Sequence, residues 1–193
     1  MLHVQKLNLK QIKEIYYSHM QEAFPQSELR PYSNIEMLTN NGHYVCYGLY
    51  EDDRLLAYAY FSRTFNGKYS LLDYYAVLKE LRGTGIGSRF FPLLREKMQD
   101  MDGVLIEVES VESTKDEAEK ALRRRRIAFY EKNGCVMTHA KCLLYGVDFS
   151  IMMLPVSKPV PENKHVLEEL EHIYHTMFDD ELYRRVCHPS IQE

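Results

Sequence analysis

An α/β fold is expected from this sequence. Apolar, β-branched and aromatic runs of strand length alternate with segments whose apolar residues recur at helical spacing. Turn residues (Asp52-Asp53, Asn66-Gly67, Asp102-Gly103) punctuate the alternation. One strand also feeds a helix through a turn with three glycines in five residues, Arg82-Gly83-Thr84-Gly85-Ile86-Gly87-Ser88.

The elements follow in order. His3 to Lys6 reads as a short opening strand, and Leu9, Ile12, Ile15, Tyr16, His19, Met20 and Ala23 then recur as one helix face. Phe24-Pro25-Gln26-Ser27-Glu28-Leu29-Arg30-Pro31 breaks that helix with two prolines. A short helix is expected next, capped by Ser33 or Asn34. Tyr44 to Tyr50 and Leu55 to Phe61 flank Glu51-Asp52-Asp53-Arg54 as a hairpin. A strand from Tyr69 to Leu78 precedes the glycine turn, and Ile86, Phe90, Leu93, Leu94 and Met98 have helical spacing after it. Val104 to Glu109 reads as the next strand. Glu112 to Arg126 is charge-dense, with pairs such as Glu119 and Arg123, and predicts a solvated helix that becomes amphipathic near Leu122, Ile127 and Tyr130. Val136 to Leu144 and Val147 to Leu154 read as closing strands joined at Tyr145-Gly146.

A boundary is expected after residue 155, where Pro155, Pro159 and Pro161 mark a linker. The division is then a domain over 1–155 and an appendage over 156–193. Val166, Leu167, Leu170, Ile173, Tyr174, Met177, Phe178 and Leu182 suit one amphipathic C-terminal helix. Its apolar face is expected to pack on its own core, to lie at a homodimer interface, or to cover a substrate site.

The composition narrows the function. With 193 residues, 45% hydrophobic and 27% charged, the chain suits a globular domain with a substantial core. No apolar run approaches the ~18 residues of a membrane span, and Met1-Leu2-His3-Val4-Gln5-Lys6 lacks a signal-peptide hydrophobic region. A cytoplasmic location without membrane association is expected. A net charge of −4 argues against a nucleic-acid partner. Cys46, Cys135, Cys142 and Cys187 have no framework spacing and read as reduced, buried thiols. Cys135-x3-His139-x2-Cys142 lacks a fourth ligand, so no metal is expected.

The glycine turn carries the chemistry. Residues without Cβ let successive N–H groups converge on one anion, and the following helix adds its positive dipole end. A P-loop needs Lys-Ser/Thr after its last glycine, but Gly87 is followed by Ser88-Arg89. A dinucleotide fingerprint spaces its glycines GxGxxG, whereas these read GxGxG. What remains is Arg82-x-x-Gly85-x-Gly87, with Val77 five residues before the arginine. This pattern resembles the acyl-coenzyme A loop of the GNAT superfamily of N-acetyltransferases. A second family feature, Tyr-Glu-Lys-x-Gly-Phe, is resembled by Tyr130-Glu131-Lys132-Asn133-Gly134-Cys135. The sequence departs from the family where Arg123 replaces an asparagine, Cys135 a phenylalanine, and Leu78 to Leu81 a stretch usually holding proline.

The resemblance covers roughly 1–155 and implies a GNAT-like mixed, mostly antiparallel central sheet flanked by helices, here with a C-terminal helical extension. It also implies acetyl-coenzyme A as co-substrate. Arg82, Gly83, Thr84, Gly85, Ile86, Gly87 and Ser88 would hold the pyrophosphate, and Tyr75, Ala76 and Val77 the pantetheine arm. Lys79, Arg89 and the run Arg123 to Arg126 are further candidates for phosphate contact.

Transfer to an amine also needs proton handling. Tyr130 is the candidate acid, since a phenol stays protonated at neutral pH and can serve a departing thiolate. Leu105, Glu107 and Glu109 alternate onto one face of their strand, which makes Glu107 or Glu109 the candidate base or water relay for an ammonium acceptor. Asp73 and Glu28 are candidates for holding that cation. The expected activity is N-acetylation of a primary amine, on a small molecule or a peptide. Alternatives are a non-catalytic acyl-coenzyme A sensor, transfer of a longer acyl group, or acylation of a protein N-terminus or lysine.

Overall fold

The computed structural model describes residues 1–26 and 28–192; Ser27 and Glu193 lie outside the described residues. The chain forms two compact units, one of Met1–Arg63 with Leu72–Met98 and one of Thr64–Leu71 with Gln99–Glu193.

In the first unit, β1 (Leu2–Lys6) leads into α1 (Leu9–Ile15), which starts on a capping box between Asn8 and Gln11. The helix widens into a π turn at Tyr16–Met20 and closes with α2 (Gln21–Ala23). The wider turn turns the following side chains about the axis, and the Tyr16 hydroxyl donates to the Arg30 carbonyl at 3.0 Å. After α3 (Tyr32–Asn40), β2 (Tyr44–Glu51) and β3 (Arg54–Arg63) form the expected hairpin, with Tyr44 opposite Ser62 and Glu51 opposite Arg54. Strand β4 (Tyr69–Val77) contributes its residues from Leu72 onward to this unit, giving the order β1-β2-β3-β4. Helix α4 (Ile86–Lys97) buries Phe90, Phe91 and Leu94. The core joins Ile12, Ile15, Met20, Ile35 and Leu38 of the helices to Tyr58, Tyr60 and Tyr74 of the strands.

In the second unit, the first residues of β4 pair in parallel with β5 (Gly103–Glu109) through Tyr69↔Gly103, Ser70↔Val104 and Leu71↔Leu105. A Cβ at Gly103 would sit 2.1 Å from the Met153 methyl and 3.3 Å from the Leu154 carbonyl, so the flexible Met153 side chain would have to move to admit one. Helix α5 (Glu117–Lys132) follows, capped by Asp116. The strands β6 (Val136–Leu144) and β7 (Val147–Pro155), the helices α6 (Asn163–Met177) and α7 (Asp180–Val186), and β8 (Cys187–Ile191) complete the chain. The order is β4-β5-β7-β6-β8, with every pair after β4–β5 antiparallel. Val166, Leu170, Ile173 and Tyr174 of α6 are fully buried against Leu71, Leu105, Ile151 and Met153. The fold is thus mixed α/β, with mostly antiparallel strands.

Several local expectations are corrected. Helix α3 starts at Tyr32 with Pro31 before it and no side-chain cap, so neither Ser33 nor Asn34 caps it. Proline's fixed φ already suits a helix start. The charged stretch is not helical from Glu112: a 3-10 turn at Val111–Ser113 precedes α5, and Leu122 is exposed. The C-terminal helix breaks at Phe178, because the Asp179 side chain accepts from Leu182 N at 2.8 Å and restarts the chain as α7. Strand β8 had no expectation at all.

Candidate acyl-donor and acceptor sites

The glycine turn is built from backbone conformation. Gly83 and Gly85 have φ of 79° and 83°, values that L side chains rarely adopt, whereas Gly87 is the second residue of α4 and has no positive φ. A Cβ at Gly83 or Gly85 would meet no heavy atom within 4 Å, so conformation rather than packing requires glycine there. The first helical bond, Arg89 N to the Gly85 carbonyl at 3.1 Å, leaves the N–H groups of Ile86, Gly87 and Ser88 ahead of it without helical acceptors. Two side chains brace the turn. The Tyr75 hydroxyl donates to the Gly87 carbonyl at 2.7 Å while its ring stacks on Phe90 at 5.6 Å. Arg82 Nε donates to the Val77 carbonyl at 3.3 Å.

A hollow in the same unit is lined by His19, Glu22, Tyr58, Val77, Lys79 and Arg82, among others. The buried Tyr58 hydroxyl on its wall has no hydrogen-bond partner among the described residues. Backbone donors at a helix start, with Arg82 in the turn before them, fit a phosphate-bearing ligand.

Asp73 is not an open carboxylate. Its Oδ2 accepts from Arg30 Nε at 3.3 Å and from the Tyr44 hydroxyl, and the Arg30 and Asp73 side chains are 13% and 14% exposed. Burial opposes the Arg30 charge, but Asp73, Tyr44 and Tyr74 outweigh it and raise the guanidinium pKa. Tyr74 adds two bonds to the same loop, accepting from Arg30 N and donating to the Glu28 carbonyl, each at 2.8 Å. Asp73 therefore serves as an anchor of the loop that carries the exposed Glu28.

The second unit holds Glu107, Glu109 and Tyr130, and it separates the two glutamates. Glu107 accepts from the Tyr174 hydroxyl of α6. Glu109, at the strand end, is bound by Arg123 at 3.0 Å and Arg126 at 3.2 Å, both on α5. The shared face predicted from strand alternation does not make them equivalent, because different helices take up their side chains.

Arg123 is fully engaged. Besides Glu109 it pairs with Glu119 at 3.1 Å and donates to the Ser110 carbonyl at 2.6 Å. That removes it from the candidates for phosphate contact.

Tyr130 is 8% exposed, and burial pushes its hydroxyl up to about 12 against the opposing field of Arg126. Arg126 thus links Tyr130 to Glu109 electrostatically. Arg30, Tyr44 and Tyr174 were missed as site residues by sequence reasoning. Their partners lie 29 to 67 residues away, and no local pattern signals such pairs.

All four cysteines are buried thiols outside any disulfide. Among the described residues no group of three or more His, Cys, Asp and Glu side chains is placed to hold a metal ion. No helix among them is long and apolar enough to cross a membrane.

Comparison with known proteins agrees with this geometry. Residues 9–135 match the acetyltransferase (GNAT) family. The chain is 23% identical over 171 residues to the candidate acetyltransferase YjbC of Bacillus subtilis (strain 168), covering 87% of this chain and 85% of that protein. Among solved structures, a candidate GNAT-family acetyltransferase from Bacteroides thetaiotaomicron superposes with a TM-score of 0.70 at 18% identity, over 91% of this chain and 97% of that one. The spermidine N-acetyltransferase of Vibrio cholerae, solved with CoA and spermine, superposes with a TM-score of 0.59 at 12% identity, over 81% and 96% of the two chains.

Proposed function

This chain belongs to the acetyltransferase (GNAT) family, and we propose that it moves an acetyl group from acetyl-coenzyme A to a primary amine presented as a cation. The observation that carries this reading is the glycine turn, in which two positive-φ glycines lead directly into the start of α4. The N–H groups from Gly83 to Ser88 hold the pyrophosphate, with Arg82 and Thr84 beside them. The backbone of Tyr75, Ala76 and Val77 orients the pantetheine arm. Bound acetyl-coenzyme A supplies an activated acyl thioester.

The remaining residues handle charge and protons. Glu107 takes or relays the proton that an ammonium must lose before its nitrogen can attack, since that proton leaves only near pH ~10.4 unaided. Tyr130 Oη, with its pKa pushed up to about 12 by burial, keeps its proton throughout the working range and offers it to the departing sulfur. Full transfer to a thiolate of pKa near ~8.5 runs uphill. The main service of Tyr130 is therefore a hydrogen bond that stabilises the developing negative charge. Glu28 is the acidic side chain presented toward an ammonium, on a loop held by Arg30 and Asp73. Glu109 is a weaker base candidate than Glu107, because two arginines stabilise its charged form.

The crystallised Vibrio cholerae relative, with CoA and spermine bound, supports a cationic amine as acceptor class. The test is thiol release from acetyl-coenzyme A across a panel of small amines and peptide N-termini. Turnover with amines that are cationic at neutral pH is expected. Tight acetyl-coenzyme A binding without turnover across the panel would instead make the protein a sensor.

A further inference from the structure

We infer that Tyr174, on a helix beyond the family-matched segment 9–135, is a positioning residue that orients the Glu107 carboxylate. The inference rests on the reading of Glu107 as the base.

Three observations lead to it. Tyr174 is fully buried on α6, and its hydroxyl donates to Glu107 Oε1 on β5. The bond joins residues 67 positions apart, so the tertiary packing of α6 creates it. The ring is fixed on several sides: it stacks on Phe178 at 6.0 Å and lies in the cluster of Leu105, Ile151, Ile173 and Cys142. A rigid phenol pointing at a carboxylate restricts the carboxylate's rotamers and stabilises its ionised form.

The surroundings of Glu107 set what else acts on it. Cys142 on β6 lies in the same buried cluster as Tyr174, and Cys187 on β8 lies 3.6 Å from Cys142. Both thiols feel the Glu107 charge, and Cys187 also feels Glu171 of α6. On β7 the residue opposite Glu107 is the uncharged Ile151. Glu109, two residues along β5, is matched by Arg123 and Arg126 from α5. Burial and the Glu107 carboxylate together drive the Tyr174 pKa well above its ordinary value, so Tyr174 remains a donor at every working pH. Tyr174 donates its hydrogen bond directly to Glu107 Oε1.

The experiment compares pH–rate profiles of the full chain, native and Tyr174→Phe, with saturating acetyl-coenzyme A and varied amine. Phe keeps the ring and removes the donor. The acidic limb should move up by about one pH unit, since the carboxylate loses a bond that favours its charged form. At a pH below the native limb, kcat/KM for the amine should fall about tenfold, and acetyl-coenzyme A affinity should hold. A ¹³C titration of the Glu107 carboxyl should show the same upward shift without reference to turnover. Cys142→Ala, which perturbs the same packing but spares the hydroxyl–carboxylate bond, should leave the limb in place.

Replacement of Tyr174 by 3,5-difluorotyrosine keeps the fold while making the phenol a stronger donor, and should move the limb down. A folded Phe variant, or the fluorinated protein, with limb and titration unchanged overturns the inference. Glu107→Gln separates the premises. If it abolishes turnover while Tyr174→Phe leaves the profile intact, only the positioning role fails; if it retains native amine kinetics, the base reading falls and this inference with it.

Discussion

Arg30 Nε stands 3.3 Å from Asp73 Oδ2, joining the loop after α2 to strand β4 across 43 residues of sequence. Both side chains are largely buried, so removing one partner strands the other's charge. Arg30→Ala should cost about 3 kcal/mol of unfolding free energy, the lower end for a broken buried pair. A joint replacement of Arg30 and Asp73 by apolar residues should cost less than Arg30→Ala alone. Urea unfolding of Arg30→Ala, Asp73→Ala and the double variant decides it; additive single and double losses would mean the pair is not coupled.

The glycine turn should reject side chains for two separate reasons. Gly85→Ala forces a Cβ onto a φ of 83° and should lose stability by about 1–2 kcal/mol while weakening acetyl-coenzyme A. Gly87→Glu, within α4, tolerates its backbone but places bulk and negative charge among the donors. Calorimetry should find acetyl-coenzyme A binding abolished in a folded Gly87→Glu protein. Near-native affinity there would remove the anion-binding reading.

Tyr130→Phe removes a hydroxyl and leaves a ring. Its kcat should fall by roughly 10- to 10⁴-fold, because general acid help is typically worth ~10² to 10⁴ and a hydrogen bond alone somewhat less. With the native hydroxyl at about 12, the native profile should show no alkaline limb from Tyr130 below pH about 11. An unchanged kcat, with chemistry shown to limit turnover, returns Tyr130 to a packing role.

The two strand glutamates should separate in kinetics. Glu107→Gln should lower kcat/KM for the amine at least tenfold. Glu109→Gln should chiefly lower stability, since it leaves Arg123 (12% exposed) and Arg126 short of their partner. Steady-state rates and thermal unfolding of the two single variants test the split, and equal kinetic losses would contradict it.

Alkaline pH should unfold the protein steeply. Tyr44, Tyr58, Tyr60, Tyr74, Tyr130 and Tyr174 all have pKa values raised chiefly by burial, whereas in the unfolded chain tyrosine titrates near ~10. Their stabilisation is complete below pH ~10 and is lost as pH rises toward the folded values, at up to ~1.4 kcal/mol per residue per pH unit. Tyrosinate absorbance and loss of circular dichroism should therefore rise together above pH ~10. Tyrosinate formation well before unfolding would show the rings to be accessible.

The sequence by itself determined the local elements and the motif. Apolar spacing located β2, β3, β6, β7 and α4 to within a residue or two, since period and turn residues act over short range. The glycine run located the turn before α4, because glycine readily takes the positive φ that Gly83 and Gly85 adopt. Only the tertiary structure decided how the acidic side chains are used. Glu107 and Glu109 look alike in a strand, yet packing gives one a buried phenol and the other two guanidinium groups. Asp73 looked free, and Arg30 neutralises it through a loop whose path no local pattern encodes. Strand β8 was illegible for the same reason, whereas the break at Phe178 follows a local cap at Asp179 that the sequence does carry. A Cys-His-Pro-Ser-Ile segment has weak strand propensity, and pairing with β6 supplies the hydrogen bonds that make it one. Propensity acts between neighbours in sequence, while charge pairing, burial and edge pairing act between neighbours in space.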